Sequence, residues 1–239
     1  MLKRLVKRGM RRLGFDLRHY RPESSGEAQF MAMLSAHGVN LVFDVGANIG
    51  QFGRWLREAG YSERIVSFEP LSAARKQLSV ASQYDPLWEI APQAAIGSED
   101  GEIDIHIAGN SVSSSVLDML DAHANAAPGS AYVDSEKVPL QRLDTIAPGY
   151  LHPDSILFLK IDTQGYEDRV LKGAPGLLER AIGLQLELSF VPLYDGQRPY
   201  DELIAQLKNL GFNLWCMTPA FVDPINGRLL QVDATFFRY

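Results

Sequence analysis

The sequence predicts an α/β fold, with a mostly parallel doubly wound sheet, helices on both faces and an antiparallel hairpin at its C-terminal end. Three observations predict it. From residue 41 onward, short apolar runs of β-prone residues alternate with amphipathic helical segments. The turns between them are short, as in βαβ units. The last two predicted strands are joined by residues 219–228, too few for a crossover helix, so these strands should pair antiparallel.

The composition is that of a globular protein with one large domain. The 239 residues are 46% hydrophobic and 22% charged, and a chain of this length buries a substantial core. The single cysteine, Cys216, cannot form an intramolecular disulfide, which favours a reducing, cytoplasmic location. We expect no membrane-spanning helix, because no apolar run reaches the roughly 20 residues needed, and no secretory signal.

Charge is distributed unevenly along the chain. Residues 1–21 contain eight Lys or Arg and one Asp, a net charge of +7. The other residues contain 15 basic and 28 acidic side chains, a net charge of −13. An acidic body is unsuited to general nucleic-acid binding, because contacts with phosphates need clustered cations.

The first 38 residues predict two helices that precede the main domain. In residues 2–13, apolar side chains recur at helical spacing among Lys and Arg, a pattern typical of a basic amphipathic helix. Residues 28–38 predict a second short helix, which ends at Gly38. We therefore assign residues 1–38 to a helical lead-in and residues 39–239 to one α/β domain.

Three interpretations of the basic helix are open. Residues 1–20 are suited to an anionic membrane surface, which would make a cytoplasmic protein peripheral to the inner face of the membrane. The helix is also suited to packing on the acidic body of its own subunit or of a partner subunit. The third interpretation is a solvated tail.

Each later element follows from its pattern. Predicted strands comprise residues 41–46, 64–70, 88–97, 155–162, 183–190, 212–218 and 229–239, and predicted helices comprise residues 51–60, 72–83, 166–174 and 200–211. Strict alternation in residues 101–109 predicts a half-exposed edge strand or hairpin. Residues 109–136 are small and polar and predict a long loop with one helical turn, of the kind that is usually functional or mobile.

The turn after the first strand is rich in residues that permit unusual backbone angles. Asp44 is followed by Gly46, Asn48, Gly50 and Gly53. The dinucleotide-binding pattern G-x-G-x-x-G would require a second glycine where this chain has Asn48, so a ligand here need not contain a pyrophosphate. The alternative is a structural turn without a ligand.

Glu69 strengthens the interpretation as a ligand site. It ends the second predicted strand, 25 residues after Asp44, and Pro70 follows it. An acid at this position is placed to bind two vicinal ribose hydroxyls. The alternative role, as N-cap of the helix 72–83, is weakened because Ser72 is available for it. Together the two motifs predict an adenosine-containing cofactor without a pyrophosphate.

Four segments, in order, resemble the signatures of the FkbM family of S-adenosylmethionine-dependent methyltransferases. They read "FDVGANIGQFG", "FEP", "LFLKIDTQGYEDRVLKGA" and "LELSFVPLYDGQ". The resemblance extends from about residue 40 to the C-terminus, and Thr163 occupies a position where the family often has Val. It implies a Rossmann-like class I fold with a seven-stranded sheet. It also implies O-methylation, commonly of sugar hydroxyls in glycolipids, polysaccharides or natural products.

The resemblance also implies where the cofactor binds. The methionine part of S-adenosylmethionine should lie against residues 46–50, with Asp44 beneath it, and the adenine should pack near Ala94 and Ala95 at the end of the third strand. The full set of implied cofactor-binding residues is Asp44, Gly46, Ala47, Asn48, Gly50, Phe52, Glu69, Pro70, Ala94 and Ala95.

Two carboxylates are the candidate catalytic residues. Asp162 ends the fourth predicted strand of the parallel sheet and Glu187 lies in the next one, so both should face the same crevice. One could act as a general base for a hydroxyl acceptor, or both could hold Mg²⁺. A required metal is not favoured, because metal-dependent relatives usually have more clustered acids. The alternative is a buried ion pair between Glu187 and Lys160, with Asp162 capping the next helix.

Acceptor-binding candidates come from two loops. Asn110, Ser113 and Ser114 belong to a Ser-rich stretch that recurs in the family, and Tyr194 and Gln197 follow the fifth strand. A solvated loop and an ordinary exposed turn are the alternatives. Four histidines are predicted to lie on the surface or in loops, with His106 as a reserve base: His37, His106, His123 and His152.

The sequence therefore predicts a methyltransferase that acts on a sugar-like hydroxyl. The main alternative is a non-catalytic nucleotide-binding regulatory protein on the same fold, which the presence of all four carboxylates, at Asp44, Glu69, Asp162 and Glu187, disfavours. A nicotinamide-dependent reductase is disfavoured by Asn48 and by the lack of a Tyr-x-x-x-Lys dyad.

Overall fold

The computed structural model of the chain describes residues 2–15 and 19–238. Two short 3₁₀ helices, Pro128–Ser130 and Ala147–Tyr150, accompany the regular elements. The helices are α1 (Leu2–Arg12), α2 (Gly26–Ala36), α3 (Gln51–Glu58), α4 (Ser72–Ser82), α5 (Asp121–Ala126), α6 (Leu143–Ile146), α7 (Glu167–Lys172), α8 (Pro175–Arg180) and α9 (Tyr200–Asn209). The strands are β1 (Leu41–Val45), β2 (Arg64–Phe68), β3 (Trp88–Ile90), β4 (Ala95–Ile96), β5 (Gly101–Ala108), β6 (Tyr132–Gln141), β7 (Leu157–Ile161), β8 (Ala181–Ser189), β9 (Asn213–Val222) and β10 (Leu229–Phe237).

The main sheet has seven strands in the order β3-β2-β1-β7-β8-β10-β9. The first five pair in parallel, and β10 pairs antiparallel with both β8 and β9. The sequence prediction of a mostly parallel sheet with a C-terminal antiparallel hairpin is therefore confirmed. Strand order reverses between β1 and β7, and ligands of open α/β sheets bind beyond the strand ends at such a point.

A second sheet, with the order β4-β6-β5, was not predicted. Residues 88–97 do not form one strand: β3 ends at Ile90, and Ala95 starts β4 in the second sheet. Pro92 lies between them and has no N–H for a continued ladder. The predicted loop of residues 109–136 also ends earlier than expected, because Tyr132 already belongs to β6, which pairs with β5.

Apolar side chains cover both faces of the main sheet. Along β1, Phe43 belongs to the core that α7, α8 and α9 cover, and Val42 belongs to the core that α2, α3 and α4 cover. This alternation explains why all five residues of β1 are buried. Phe30 of α2 packs at ring-centroid distances of 5.3 Å from Trp55 and 5.5 Å from Phe158, so α2 is part of the same core.

The predictions for residues 1–20 extend partly outside the described residues, which exclude residues 1 and 16–18. Within the described part, α1 forms as predicted and is followed by Gly14 with φ +85°. Among the helices that the structure describes, none combines the length and the apolar character that crossing a membrane requires.

Candidate active site

Gly46 begins the turn between β1 and α3, and it has φ +80°. A Cβ added there would lie 1.8 Å from the carbonyl oxygen of Asp162, which follows the neighbouring strand β7. Gly53 faces a different neighbour, because its Cβ would lie 2.2 Å from the Trp88 ring. The groups that lie close to these glycines are therefore the backbone of Asp162, at Gly46, and the ring of Trp88, at Gly53.

Glu69, just after β2, is buried beside this turn. Its Oε2 accepts the N–H of Asn48 at 2.7 Å and its Oε1 accepts the N–H of Leu71 at 2.9 Å. Burial raises the pKa of this carboxyl to about 7, although the two amides act in the opposite direction. Leu71, not Ser72, is the N-cap residue of α4. Each carboxylate oxygen has capacity for another hydrogen bond, so support of the helix start and binding of a diol are compatible.

Asp44 lies deeper than the sequence suggested, because its side chain is fully buried and does not line the cavity described below. Its Oδ1 is 3.2 Å from Nζ of Lys160, and the same ammonium is 3.3 Å from Oδ2 of Asp162. Burial lowers the pKa of Lys160, but the charges of these two carboxylates reverse that effect and raise it above its usual value. Lys160 thus links the turn to the candidate catalytic residues.

Three carboxylates lie at adjacent strands of the main sheet. Asp162 follows β7, Glu187 lies on β8, and Asp233 lies directly opposite Glu187 on β10. Burial raises the pKa of Glu187 well above its usual value, and the charges of Asp162, Glu167 and Asp233 raise it further. Burial also raises the pKa of Asp233 to about 6. The site therefore favours a bound cation or a group that gives up a proton.

Two glutamines orient these carboxylates. Nε2 of Gln164 donates to Oδ1 of Asp162 and to Oε2 of Glu187, both at 2.9 Å. Nε2 of Gln231 donates to the same Oε2 of Glu187 at 2.8 Å. Oε1 of Gln164 accepts the hydroxyl hydrogen of Tyr194 at 2.7 Å. Tyr194 is fully buried behind the site, where the sequence had suggested a position at its mouth.

The structure does not show the alternative arrangement, in which Glu187 would form a buried ion pair with Lys160 and Asp162 would cap the next helix. Lys160 pairs with Asp44 and Asp162 instead of Glu187. The N-cap residue of α7 is Tyr166, and it is Glu167, not Asp162, that accepts the N–H groups of the preceding turn.

The Ser-rich loop closes over the turn. Nδ2 of Asn48 donates to the carbonyl oxygen of Ser111 at 3.2 Å and to its hydroxyl at 3.1 Å. Within the loop, Nδ2 of Asn110 donates to Oγ of Ser113 at 2.9 Å, and the hydroxyl of Ser114 donates to the carbonyl of Ser111 at 2.8 Å. A freely solvated loop is therefore excluded, since Ser113 is also buried.

The prediction for His123 is wrong, because this histidine is buried. Its Nε2 lies 3.1 Å from Oγ of Ser113, and its ring packs against Tyr194 at 5.2 Å. Burial lowers its pKa, so the ring is neutral near pH 7. His106, the predicted reserve base, lies outside the cavity lining, with its Nε2 3.4 Å from Asp118.

One cavity of about 670 Å³ joins the turn to the carboxylates. A volume in this range is typical of small-molecule sites. The structure brings together in its wall these predicted residues: Gly46, Ala47, Asn48, Phe52, Glu69, Pro70, Ala94, Ala95, Asn110, Ser113, Ser114, Asp162 and Glu187. Four predicted residues do not line it: Asp44, Gly50, Tyr194 and Gln197. Nε2 of Gln197 instead donates to the hydroxyl of Ser189 at 2.9 Å.

Several polar residues of the cavity wall were not among the predicted site residues, above all Lys160, Gln164, Gln185, Gln231, Asp233 and His123. A signal for Gln231 and Asp233 was present, since they alternate with apolar residues and so share one face of β10. In the described part of the chain, no three His, Cys, Asp or Glu side chains are grouped as a metal site would require.

Comparison with known proteins gives one family match. The family model described as the methyltransferase FkbM domain matches residues 44–214. The curated proteins include no match to the chain.

Solved structures with a similar fold are distant in sequence. Magnesium protoporphyrin IX methyltransferase from Synechocystis PCC 6803, with bound SAH, is 12% identical, with a TM-score of 0.46 and with 90% of this chain and 82% of that chain covered. The glycopeptide N-methyltransferase MtfA, complexed with sinefungin, is 11% identical, with a TM-score of 0.41 and with 90% and 87% covered. Similarity at this level carries no information about the substrate.

Proposed function

Because the chain belongs to the FkbM family of S-adenosylmethionine-dependent methyltransferases, whose model matches residues 44–214, we propose that it methylates a hydroxyl group of a sugar in a glycolipid, a polysaccharide or a natural product. One observation carries this proposal. A single cavity has the buried carboxylate of Glu69 in one part of its wall and a cluster of polar side chains around Asp162 and Glu187 in another. The first suits the ribose of a nucleoside cofactor and the second suits a hydroxyl acceptor.

The residues that would hold the cofactor fit its chemistry. Both oxygens of Glu69 can accept hydrogen bonds from ribose hydroxyls, and the small buried side chains of Ala94 and Ala95 leave room for the adenine. Lys160 is the only Lys or Arg in the described lining of the cavity, against five carboxylates, at Glu27, Glu69, Asp162, Glu187 and Asp233. Such an excess of acids favours a cationic ligand. Bound S-adenosylmethionine supplies a methyl group on a positively charged sulfur.

The chain's own residues would remove the proton of the acceptor. A sugar hydroxyl that gains a methyl group on its oxygen must lose its proton, and a carboxylate within hydrogen-bond distance can accept it. We assign this role to Asp162, with Glu187 as the alternative acceptor of the same proton. The Gln164 amide holds one oxygen of each, and the Lys160 ammonium fixes the other oxygen of Asp162. Positioning of the acceptor oxygen in this frame contributes to the rate as well.

The first experiment is calorimetric titration of S-adenosylhomocysteine into the wild type and the Glu69→Ala variant. We expect micromolar binding by the wild type and at least ~10-fold weaker binding by the variant, because the charged acceptor for the ribose hydroxyls is lost. Glu63→Ala is the matched control, since it removes an exposed carboxylate just before β2. No binding by the wild type would contradict the cofactor assignment and favour another role for the fold.

The acceptor is tested separately, by transfer of a labelled methyl group to glycolipid, polysaccharide and natural-product fractions. The proposal expects label in a methyl ether of a sugar, which withstands mild base. Label found only on nitrogen, carbon or a base-labile ester would exclude sugar O-methylation while leaving the cofactor assignment intact.

The pH dependence of cofactor binding provides a further check. The pKa of Glu69 lies at about 7 in the folded protein, and hydroxyl donors prefer its charged form. The affinity for S-adenosylhomocysteine should therefore rise through neutral pH, by about tenfold from one unit below this pKa to well above it. Glu69→Gln should remove this dependence; an unchanged pH profile in that variant would exclude Glu69 as its cause.

A further inference from the structure

The strongest feature that the methyl-transfer site does not use is the basic N-terminal helix α1 and the turn after it. Three large apolar side chains of this segment are exposed, 49% for Val6, 71% for Leu13 and 61% for Phe15, and Met10 is half-buried. Val6, Met10 and Leu13 are four and three residues apart, so they form one stripe along the helix. A largely exposed apolar stripe indicates a binding surface.

The end of α1 adds to this stripe. The N–H of Phe15 donates to the carbonyl of Met10 at 2.9 Å, and the N–H of Gly14 donates to the carbonyl of Arg11 at 3.1 Å. With Gly14 in the left-handed region, these bonds form a Schellman motif, in which the residue after the glycine returns toward the last turn of the helix. Phe15 therefore extends the apolar stripe instead of continuing away from it.

The charges around the stripe are all positive. Residues 2–15 contain six Lys and Arg and no Asp or Glu. Arg4, Lys7, Arg8 and Arg12 are exposed. The residues after position 21 have a net charge of −13, so the protein has a basic end and an acidic body. An anionic surface would attract the first and repel the second, which gives the molecule one preferred orientation on that surface.

We propose that residues 2–15 bind the surface of an anionic lipid bilayer, with the apolar stripe at the boundary between headgroups and acyl chains and the Lys and Arg side chains at the lipid phosphates. A bilayer surface suits both the basic side chains and the apolar stripe, since it offers anionic phosphates next to an apolar layer. A nucleic-acid backbone would satisfy the charges only. This inference does not depend on the proposed methyl acceptor.

Attachment at α1 would also bring the cavity close to the lipid surface. Gly26, Glu27 and Phe30 of α2 line the cavity. Ten residues separate Phe15 from Gly26, and an extended chain of that length spans less than about 40 Å. A lipid-linked acceptor held at the same surface would then be within reach of the site.

The test is flotation of the full chain with phosphatidylcholine vesicles that contain or lack phosphatidylglycerol. We expect binding only to the vesicles with phosphatidylglycerol and weaker binding as salt rises. Replacement of Arg4, Lys7 and Arg8 by Gln should weaken that binding ~100-fold, because each basic side chain contributes to attraction by the surface. The Leu13→Ser, Phe15→Ser double variant should weaken it about tenfold, because less apolar area is buried.

The control variant is Tyr84→Ser combined with Ile225→Ser, which removes two exposed apolar side chains of the body and should leave vesicle binding unchanged. Thermal unfolding of every variant tests whether the fold is retained. Three results would overturn the proposal: no flotation with anionic vesicles, equal flotation of the wild type and the Gln variant, or a dimer in solution that the Gln variant dissociates. The last result would assign the helix to a second copy of the chain.

Discussion

Gln164 connects groups that come from distant parts of the chain. Its backbone has φ +54°, a left-handed conformation that costs a residue with a Cβ about 1 kcal/mol. Hydrogen bonds to Asp162, Glu187 and Tyr194 hold the side chain in place. Strain of this kind persists where the surroundings determine the position of a residue, as at functional sites. Gln164 is therefore the side chain that contacts both candidate catalytic carboxylates, while Gln231 also holds Glu187 and Lys160 also holds Asp162.

Asp162→Asn tests the assignment of the proton acceptor. The asparagine keeps an oxygen for the Gln164 amide but cannot accept a proton, so we expect methyl transfer to fall by ~10²–10⁴-fold. Binding of S-adenosylhomocysteine should stay within about threefold of the wild type, because the change conserves shape. Calorimetry and turnover with an identified acceptor measure the two effects.

The control for this variant is Asp104→Asn, on the exposed edge strand β5. Full activity of Asp162→Asn would remove Asp162 from the chemistry and transfer the role to Glu187. Loss of S-adenosylhomocysteine binding in Asp162→Asn would show instead that Asp162 contributes to cofactor binding.

Gly46→Ala should be among the most destabilising single substitutions in the turn. The added Cβ would lie 1.8 Å from the carbonyl oxygen of Asp162, so β1 and β7 would have to separate there. We expect the free energy of unfolding to fall by roughly 3 kcal/mol or more. Chemical denaturation measures it.

Gly60→Ala separates the two causes of that loss. Gly60 also has a positive φ, +97°, but a Cβ there meets nothing within 4 Å. This variant should lose only about 1–2 kcal/mol, the cost of the backbone conformation. Equal losses in the two variants would mean that the contact with Asp162 contributes nothing.

At the scale of elements, α2 is both part of the core and part of the cavity wall. Ser25 is its N-cap, with a side chain that accepts the N–H of Ala28 at 3.3 Å. Gly26, Glu27 and Phe30 of its first turns line the cavity. The start of this helix therefore positions the wall next to the predicted cofactor site.

Ser25→Ala should lower the free energy of unfolding by about 1 kcal/mol, because an N–H at the helix start loses its acceptor. Ser79→Ala is the matched control: its hydroxyl donates to the carbonyl of Arg75 within α4 and caps nothing. We expect a change within about 0.5 kcal/mol for it. A loss in Ser79→Ala equal to that in Ser25→Ala, measured by urea unfolding, would exclude the cap as the cause.

At the scale of the whole molecule, the carboxyl ends of the central strands gather acidic groups in one buried region. Burial raises the pKa of Glu69 and of Glu167 from 4.5 to about 7, and that of Asp233 from 3.8 to about 6. A group whose pKa is higher in the folded state stabilises the fold fully below its unfolded pKa, and this contribution is lost as pH rises through the folded value.

The free energy of unfolding should therefore fall as pH rises from about 4 to about 7, by several kcal/mol and at most roughly 10 kcal/mol in all. Urea unfolding across this range measures the slope. Asp233→Asn should remove about 1–3 kcal/mol of the fall, whereas the exposed Asp104→Asn should leave it unchanged. If the free energy of unfolding of the wild type did not change over this pH range, nearby groups or solvent would have to stabilise the charged forms of these carboxyls, and their pKa values would not be raised.

The sequence by itself determined the type of sheet, the turn after the first strand and the acid at Glu69. These features depend on local signals: the period of apolar residues, residues that permit left-handed angles, and the position of an acid at a strand end. The same signals predicted α1 as a basic amphipathic helix. They did not reveal β4 with its two residues or the pairing of β6 with β5, because such strands are defined by partners far away in the chain.

Only the tertiary structure decided how the polar side chains meet. Asp233 lies opposite Glu187 because of the register between β10 and β8, and Lys160 joins Asp44 to Asp162 because β1 and β7 are neighbours. The burial of Tyr194 and His123 follows from the Ser-rich loop that packs over the site. Periodicity shows which residues share a face of one strand, but sheet order and register arise from long-range packing, and these place the charges of the site side by side.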